Sequence, residues 1–303
     1  MRLRIAKHYH DENDVTLFHG DCLEFLKRLP RNSVQLVITS PPYNVGKKYE
    51  RRESLIRYLN LQRLVIAECV RVLRTGGSLC WQVGHCVGEN NEIIPLDLLL
   101  HPIFAEHERD TKLRLRNRIV WHFEHGLHCT RRFSGRHETL LWYTKGDNYI
   151  FNLDDVRVPQ KYPGKRAYKG PNRGKYSGNP FGKNPGDVWI FPNVKGNHVE
   201  KTEHPCQFPL EFPLRAIAAL TRRHDLVLDP YLGTGTSAAA AILLGRRAAG
   251  SEVLAKYSRI AKQKVKDAAS GILSFREPRP IYTPKPNTRL TTIPAHFRYR
   301  NHH

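Results

Sequence analysis

Apolar residues along this chain change rhythm in a repeating order. In DVTLFHGDCLEFLKRLP a short apolar run predicts a strand over 16–19, and a helical pattern begins near Cys22 with Asp21 placed as its cap. VQLVITS, residues 34–40, is apolar without alternation, as in a strand buried on both faces. It runs into Pro41 and Pro42, which neither a helix interior nor a central strand accepts, so a rigid corner follows the strand. LNLQRLVIAECVRVLR carries Leu61, Leu64, Val65 and Val72 at helical spacing, and the following TGG is expected to close that helix. SLCWQVG, RLRNRIVWHF and ETLLWYTKG read as further strands, and QFPLEFPLRAIAALT as a helix. DLVLDPYLGTGTSAAAAILLGRRAAGSEV then predicts a βαβ unit with a Gly-rich turn.

Strands alternating with helices predict an α/β fold with a mostly parallel sheet and helices on both faces. Ligands in such sheets bind at the carboxyl ends of strands, which selects the corner after Ile38 and the turn after Leu228. Between 158 and 195 the texture breaks. Eight Lys/Arg face one acid, Asp187, among Gly, Pro and Tyr with almost no aliphatic residues. Such a segment builds no core of its own and reads as a long functional loop region. These breaks partition the chain into an α/β half carrying the Pro-Pro corner (1–157), a basic region (158–200), a second half of the same domain carrying the Gly-rich turn (201–270) and a Pro-rich basic extension (271–303).

Charge narrows the partner. The chain of 303 residues carries a formal +21; the extension after 270 holds six Lys/Arg and one acid, leaving 21 − 5 = +16 on the body. A polyanion, nucleic acid foremost, is the expected partner. The N-terminus turns polar before an apolar region forms, and AAAAILL is too short to span a bilayer, so no membrane association is expected. The six cysteines show no C-x-x-C spacing, which favours reduced thiols in a cytoplasmic setting. His122, His125 and His128 sit on a strand and loop that need not converge, and no metal is expected.

In LDPYLGTGTS, Asp229 ends a strand, and Gly233 and Gly235 let a ligand approach the turn. Glu252 ends the next strand, where a carboxylate suits a ribose diol. The turn lacks the lysine of a phosphate loop. Gly233-x-Gly235-x-x-Ala238 does fit a dinucleotide fingerprint, so a nicotinamide-dependent dehydrogenase stays open on this turn alone.

Together, TSPPYN (39–44) and DPYLGTGTS (229–237) resemble the S-adenosylmethionine-dependent DNA amino-methyltransferases. Their order, catalytic motif before cofactor motif, is similar to the permuted β class. HGDCLEFL, HPCQFP and RFSGRHETLLWYTKGD resemble its segments beside the adenine, beside the cofactor and along the target-base pocket. Cys206 and Phe208 depart from the usual Thr and Lys of the second of these. The resemblance implies a Rossmann-like methyltransferase fold with 1–157 as its catalytic half, 158–200 as its target-recognition region and 201–270 as its cofactor-binding half, and catalytic residues at Ser40, Pro41, Pro42 and Tyr43. It places S-adenosylmethionine, leaving as S-adenosylhomocysteine, against Asp21, Thr39, His204, Asp229, Tyr231, Gly233, Gly235, Thr236 and Glu252. Double-stranded DNA is the implied substrate, met by Arg131, Arg132 and Arg136 and by Lys161, Lys165, Arg166, Lys169, Arg173 and Lys175. A cognate restriction endonuclease and a homodimer are further implied partners.

The chemistry suits the corner. An exocyclic amino lone pair is conjugated into its ring, so the nitrogen must be gripped with that pair aimed at the methyl donor. The Ser40 oxygen and the Pro41 carbonyl can accept its two N–H groups, prefixed by the prolines, while Tyr43 stacks on a flipped-out base. Ser at this position favours cytosine N4, with adenine N6 as the alternative. A non-catalytic nucleic-acid binder on the same scaffold also stays open.

Overall fold

A computed structural model of the chain describes residues 3–47, 50–123, 125–126, 128–276 and 285–294. It divides into two compact units, Met1–Phe151 with Asp187–Glu277, and Asn152–Gly186 with Pro278–His303. The first unit runs β1 (Ile5–Ala6), β2 (Val15–His19), α1 (Cys22–Lys27), β3 (Val34–Thr39), α2 (Leu55–Val72), β4 (Leu73–Val83), β5 (His85–Val87) and β6 (Ile93–Pro95). It continues with α3 (Leu96–Ala105), α4 (Glu108–Thr111), β7 (Leu113–His122), β8 (His137–Lys145), β9 (Val188–Ile190), α5 (Glu211–Leu220), β10 (Leu226–Asp229), α6 (Thr236–Leu243), β11 (Arg247–Glu252) and α7 (Ala255–Ala269).

Among the described residues, nine strands form one sheet in the order β1-β2-β11-β10-β3-β4-β8-β7-β9. From β1 to β4 in that order, every neighbour is parallel. β8 runs antiparallel to both β4 and β7, and β9 is parallel to β7. Successive side chains on a strand point to opposite faces. Val37, Leu79, Trp81, Leu228 and Ala249 share one core with Phe25 and Leu26 of α1, Ile66 of α2, and Leu100 and Phe104 of α3. α6 packs against both α5 and α7, and the three helices bury Ile217, Ala238 to Ala241 and Val265. The alanines of α6 let that helix sit close against its neighbours.

Two details depart from the sequence pattern. The helix expected over 59–74 starts earlier, at Leu55, where the Ser54 hydroxyl accepts the Arg57 N–H at 3.3 Å. TGG does not cap it. The chain turns extended at Leu73, and pairing with β3 jumps from Val34↔Leu73 to Leu36↔Ser78, so TGG forms a bulge. Gly76, at φ +79°, lies where a Cβ would come 2.4 Å from the Asn148 carbonyl oxygen. In addition, β9 emerges from the stretch read as loop, because Trp189 finds a partner in Phe212 of α5 with rings 5.7 Å apart.

The second unit is mostly turns. Ala167 and Lys175, and Lys165 and Ser177, are joined by backbone hydrogen bonds into a small hairpin. Residues 285–294 of the extension belong to this unit, with the Gly164 N–H donating to the Leu290 carbonyl at 2.9 Å. The remainder of the extension, 277–284 and 295–303, lies outside the described residues.

Candidate active site

β10 lies between β11 and β3, with Val227 opposite Leu36 and Leu228 opposite Val37. Chain connections leave to opposite sides at this point, and a crevice opens at the carboxyl ends of the two strands. The Pro-Pro corner and the Gly-rich turn therefore meet. Thr39 Oγ1 donates to Asp229 Oδ1 at 2.6 Å, across 190 residues of sequence. The same Asp229 oxygen accepts the Tyr231 N–H at 3.1 Å, and its other oxygen accepts the Ser237 hydroxyl. Burial pushes the Asp229 carboxyl up to about 6, against the pull of these three donors.

Past the corner, Asn44 takes φ +59°, a conformation that Asn tolerates better than most residues. Its side chain donates to the Glu53 carbonyl and accepts the Glu53 N–H. Glu50 holds the next two backbone donors, the Asn44 N–H at 2.9 Å and the Val45 N–H at 3.0 Å. The prolines fix one side of the corner and these bonds fix the other.

A cavity of about 560 Å³ opens between corner and turn, within the range of small-molecule sites. Ser40, Pro41, Pro42, Tyr43, Asp21, His204, Asp229, Tyr231, Gly233, Thr236 and Glu252 all line it. Arg132 also reaches it; Arg131 is exposed and Arg136 half-buried on the same loop. Two of the expected cofactor contacts do not line it. Thr39 is fully buried with its hydroxyl turned to Asp229, so it acts as a clamp. Gly235, at φ +79°, gives room to a helix instead: a Cβ there would sit 2.8 Å from both Cα and Cβ of Ala261 in α7. Gly235→Ala is expected to cost about 3 kcal/mol from backbone strain and overpacking together, measured as a lower urea midpoint.

The lining fits S-adenosylmethionine. Glu252 accepts the Gly233 N–H with one oxygen, at 3.0 Å, and the Leu254 N–H with the other, at 2.8 Å. Each oxygen keeps a lone pair for a ribose hydroxyl. Asp21, which lines the cavity, caps α1 by accepting the Leu23 and Glu24 N–H groups with its Oδ1. His204 is pushed down to about 4 by burial and by Lys201, Lys264 and Lys47, so it is neutral at pH 7. Its Nδ1 accepts the Cys206 N–H at 3.1 Å, which leaves the proton on Nε2 as a donor. Lys264 Nζ, from α7, donates to Thr234 and Thr236 of the turn at 3.3 and 3.0 Å.

At the Pro-Pro corner, Ser40 Oγ lies 3.2 Å from Tyr43 Oη, and Tyr43 Oη donates to Glu138 Oε2 at 3.0 Å. Gln82 Nε2 donates to the same oxygen. Sequence reading found the β8 segment but missed Glu138 and Gln82 as individuals, because only the β4–β8 pairing brings them to Tyr43. Among the described residues, no three His, Cys, Asp or Glu side chains gather as a metal site.

In the second unit Lys161, Lys165, Arg166, Lys169, Arg173 and Lys175 are all exposed. Arg166 stacks 4.2 Å over the Tyr176 ring, and Tyr168 stands 91% exposed on the hairpin. Arg157, Lys161, Lys165 and Lys183 line a second cavity of about 410 Å³ within this unit.

A family model described as DNA methylase, of the N6/N4 methyltransferase type, matches residues 34–263. Type II methyltransferase M.BglII of Bacillus subtilis is 47% identical over 247 residues, spanning 82% of this chain and 68% of the relative. Among solved structures, the cytosine-N4-specific PvuII DNA methyltransferase superposes with a TM-score of 0.64 at 18% identity, over 86% of this chain and 92% of that one, a likeness of fold. A Thermus thermophilus protein described as a DNA modification methylase, complexed with S-adenosyl-L-methionine, superposes at 0.59 with 27% identity, over 84% and 94% of the two chains. With its corner, its turn and three quarters of its length inside the matched family, the chain belongs to the DNA methylases of the N6/N4 amino-methyltransferase type.

Proposed function

We propose that this enzyme methylates the exocyclic amino group of a flipped-out base within a specific site of double-stranded DNA, cytosine N4 being the favoured target. The observation that carries the reading is the Thr39–Asp229 hydrogen bond, which fixes the amino-gripping corner and the cofactor turn on one cavity. S-adenosylmethionine, when bound, supplies a methyl group already activated by its sulfonium. Glu252, Asp21, His204 and the 233–236 turn are the groups that would hold it. The chain's own task is orientation: Ser40 and the Pro41 carbonyl take the two N–H groups, and Tyr43 supports the base.

Nucleoside analysis of DNA treated with the enzyme and S-adenosylmethionine tests this directly. N4-methylcytosine is the expected product; N6-methyladenine would move the target to adenine, and no methylated nucleoside would sink the reading.

The second unit is the inferred DNA-reading module, and the arginines of the 131–136 loop are inferred to contact DNA as well. Lys165, Lys169, Arg173 and Lys175 are exposed cations without aliphatic surroundings, the arrangement that meets phosphates. Replacing all four with Gln is expected to lower the slope of log affinity against log salt by about 3 to 4. Fluorescence anisotropy over a salt series measures it, and an unchanged slope would remove these residues from the interface. As the relative M.BglII is a type II methyltransferase, a partnership with an endonuclease of the same specificity is part of the proposal.

A further inference from the structure

Hydroxyl protons around Ser40 can be counted. Tyr43 has one O–H, and it faces the Glu138 carboxylate at 3.0 Å. Gln82 Nε2 donates to the same carboxylate oxygen, as suits an ionised group. An ionised carboxylate only accepts, so the Tyr43 proton lies toward Glu138. Across the 3.2 Å between Ser40 Oγ and Tyr43 Oη, the donor must then be Ser40. With its single proton turned away, Ser40 presents only lone pairs to the cavity.

We propose that Glu138 is a positioning residue for methyl transfer: acting through the Tyr43 hydroxyl, it fixes Ser40 as a pure acceptor for the target amino group. The inference rests on the amino-methyltransferase reading above. Protonating Glu138 permits the reverse chain. The carboxylic acid donates to Tyr43, Tyr43 to Ser40, and the Ser40 hydrogen swings into the cavity, where it meets the N–H of the base. A donor facing a donor releases the grip.

The pH at which this happens follows from the surroundings. Burial raises the Glu138 carboxyl, while Tyr43, Gln82, Lys47 and Lys195 pull it down; the net direction is upward. His85, Arg132 and His137 line the same cavity, and burial keeps His85 below its usual range. The reversal therefore belongs above the ordinary carboxylate range, and activity is lost as pH falls through it.

Single-turnover methyl transfer to unmethylated genomic DNA, followed against pH with S-adenosylmethionine prebound, provides the test. For the wild type the rate should fall on an acid limb. Tyr43→Phe should slow transfer about 10- to 100-fold at pH 7.5 and lose that limb, whereas Glu138→Gln, whose amide oxygen can still accept from Tyr43 but does not titrate, should lose the limb with a smaller slowing. The double variant should be no slower than the slower single one, because both cut one chain. S-adenosylmethionine affinity by calorimetry should stay unchanged in all three. An acid limb that survives in both single variants, or losses that multiply in the double variant, overturns the inference and leaves the enzyme's assignment standing. A wild type that transfers no methyl at all overturns the parent reading and this one with it. Should Glu138→Gln fail to bind S-adenosylmethionine, Tyr43→Phe decides alone, since it lacks only the hydroxyl.

Discussion

Asp229→Ala is expected to abolish measurable S-adenosylmethionine binding and to lower the unfolding free energy by about 4 kcal/mol. Three donors converge on this carboxylate in the core: the Thr39 hydroxyl, the Ser237 hydroxyl and the Tyr231 N–H. Truncation strands all three away from water, at about 1–3 kcal/mol for each donor that finds no substitute. It also unties the end of β3 from the turn after β10, so the cavity loses its fixed width. Asp229→Asn separates the two effects. An amide oxygen can still accept from Thr39 and Tyr231, and Ser237 can turn to accept from the amide nitrogen. The expected loss is about 1 kcal/mol, with cofactor affinity reduced but measurable. Denaturant unfolding and calorimetry on both variants decide it. If Asp229→Ala binds S-adenosylmethionine like the wild type, the clamp is not what shapes the cavity.

Tyr43→Ala is expected to slow methyl transfer about 1,000-fold while S-adenosylmethionine affinity holds within a few-fold. Two functions sit on one side chain. In the proposed reading the ring supports the extruded base, worth about 1–3 kcal/mol by the usual cost of removing a stacking platform. The hydroxyl orders Ser40 through Glu138, and truncation removes that link as well. Space for the ring is itself arranged: a Cβ on Gly84 would approach the Tyr43 ring to 3.1 Å and the Glu138 side chain to 3.4 Å. Comparing the alanine variant with Tyr43→Phe divides the ring's share from the hydroxyl's. Single-turnover rates within about fivefold of wild type for Tyr43→Ala would rule out both functions.

What the sequence disclosed was local. The buried β3 run, the Pro-Pro corner, the Gly-rich turn and the small-residue α6 declare themselves in consecutive letters, because their constraints are backbone constraints. From the resemblance came the expectation that the corner and the turn share a cofactor site. Hidden from the letters were side chains whose meaning depends on pairing. Gln82 and Glu138 become neighbours only through the antiparallel β4–β8 register, in which Gln82 faces Leu140 and Val83 faces Thr139. Thr39 belongs to a motif, and the motif did not say that its hydroxyl points back to Asp229. Gly235 likewise fits a ligand-turn pattern while the space it leaves is filled by Ala261. The TGG bulge misled for a related reason: a Gly pair ends helices often, and here β4 simply needed more residues than β3 could match.

The strand order also governs how the chain is made. β10 and β11 insert between β2 and β3, strands that precede them by some 190 residues or more. Until that late βαβ segment leaves the ribosome, β2 and β3 each present an open apolar edge, and the longest loop in the sheet is still unclosed. Non-local parallel pairing of this kind is slow to form and exposed to aggregation while it waits. The same dependence reaches the site. A nascent or prematurely ended chain carries the corner without Asp229 and the turn, so the cavity between them has only one of its two walls. The cavity is completed only when this final wedge closes the centre of the sheet.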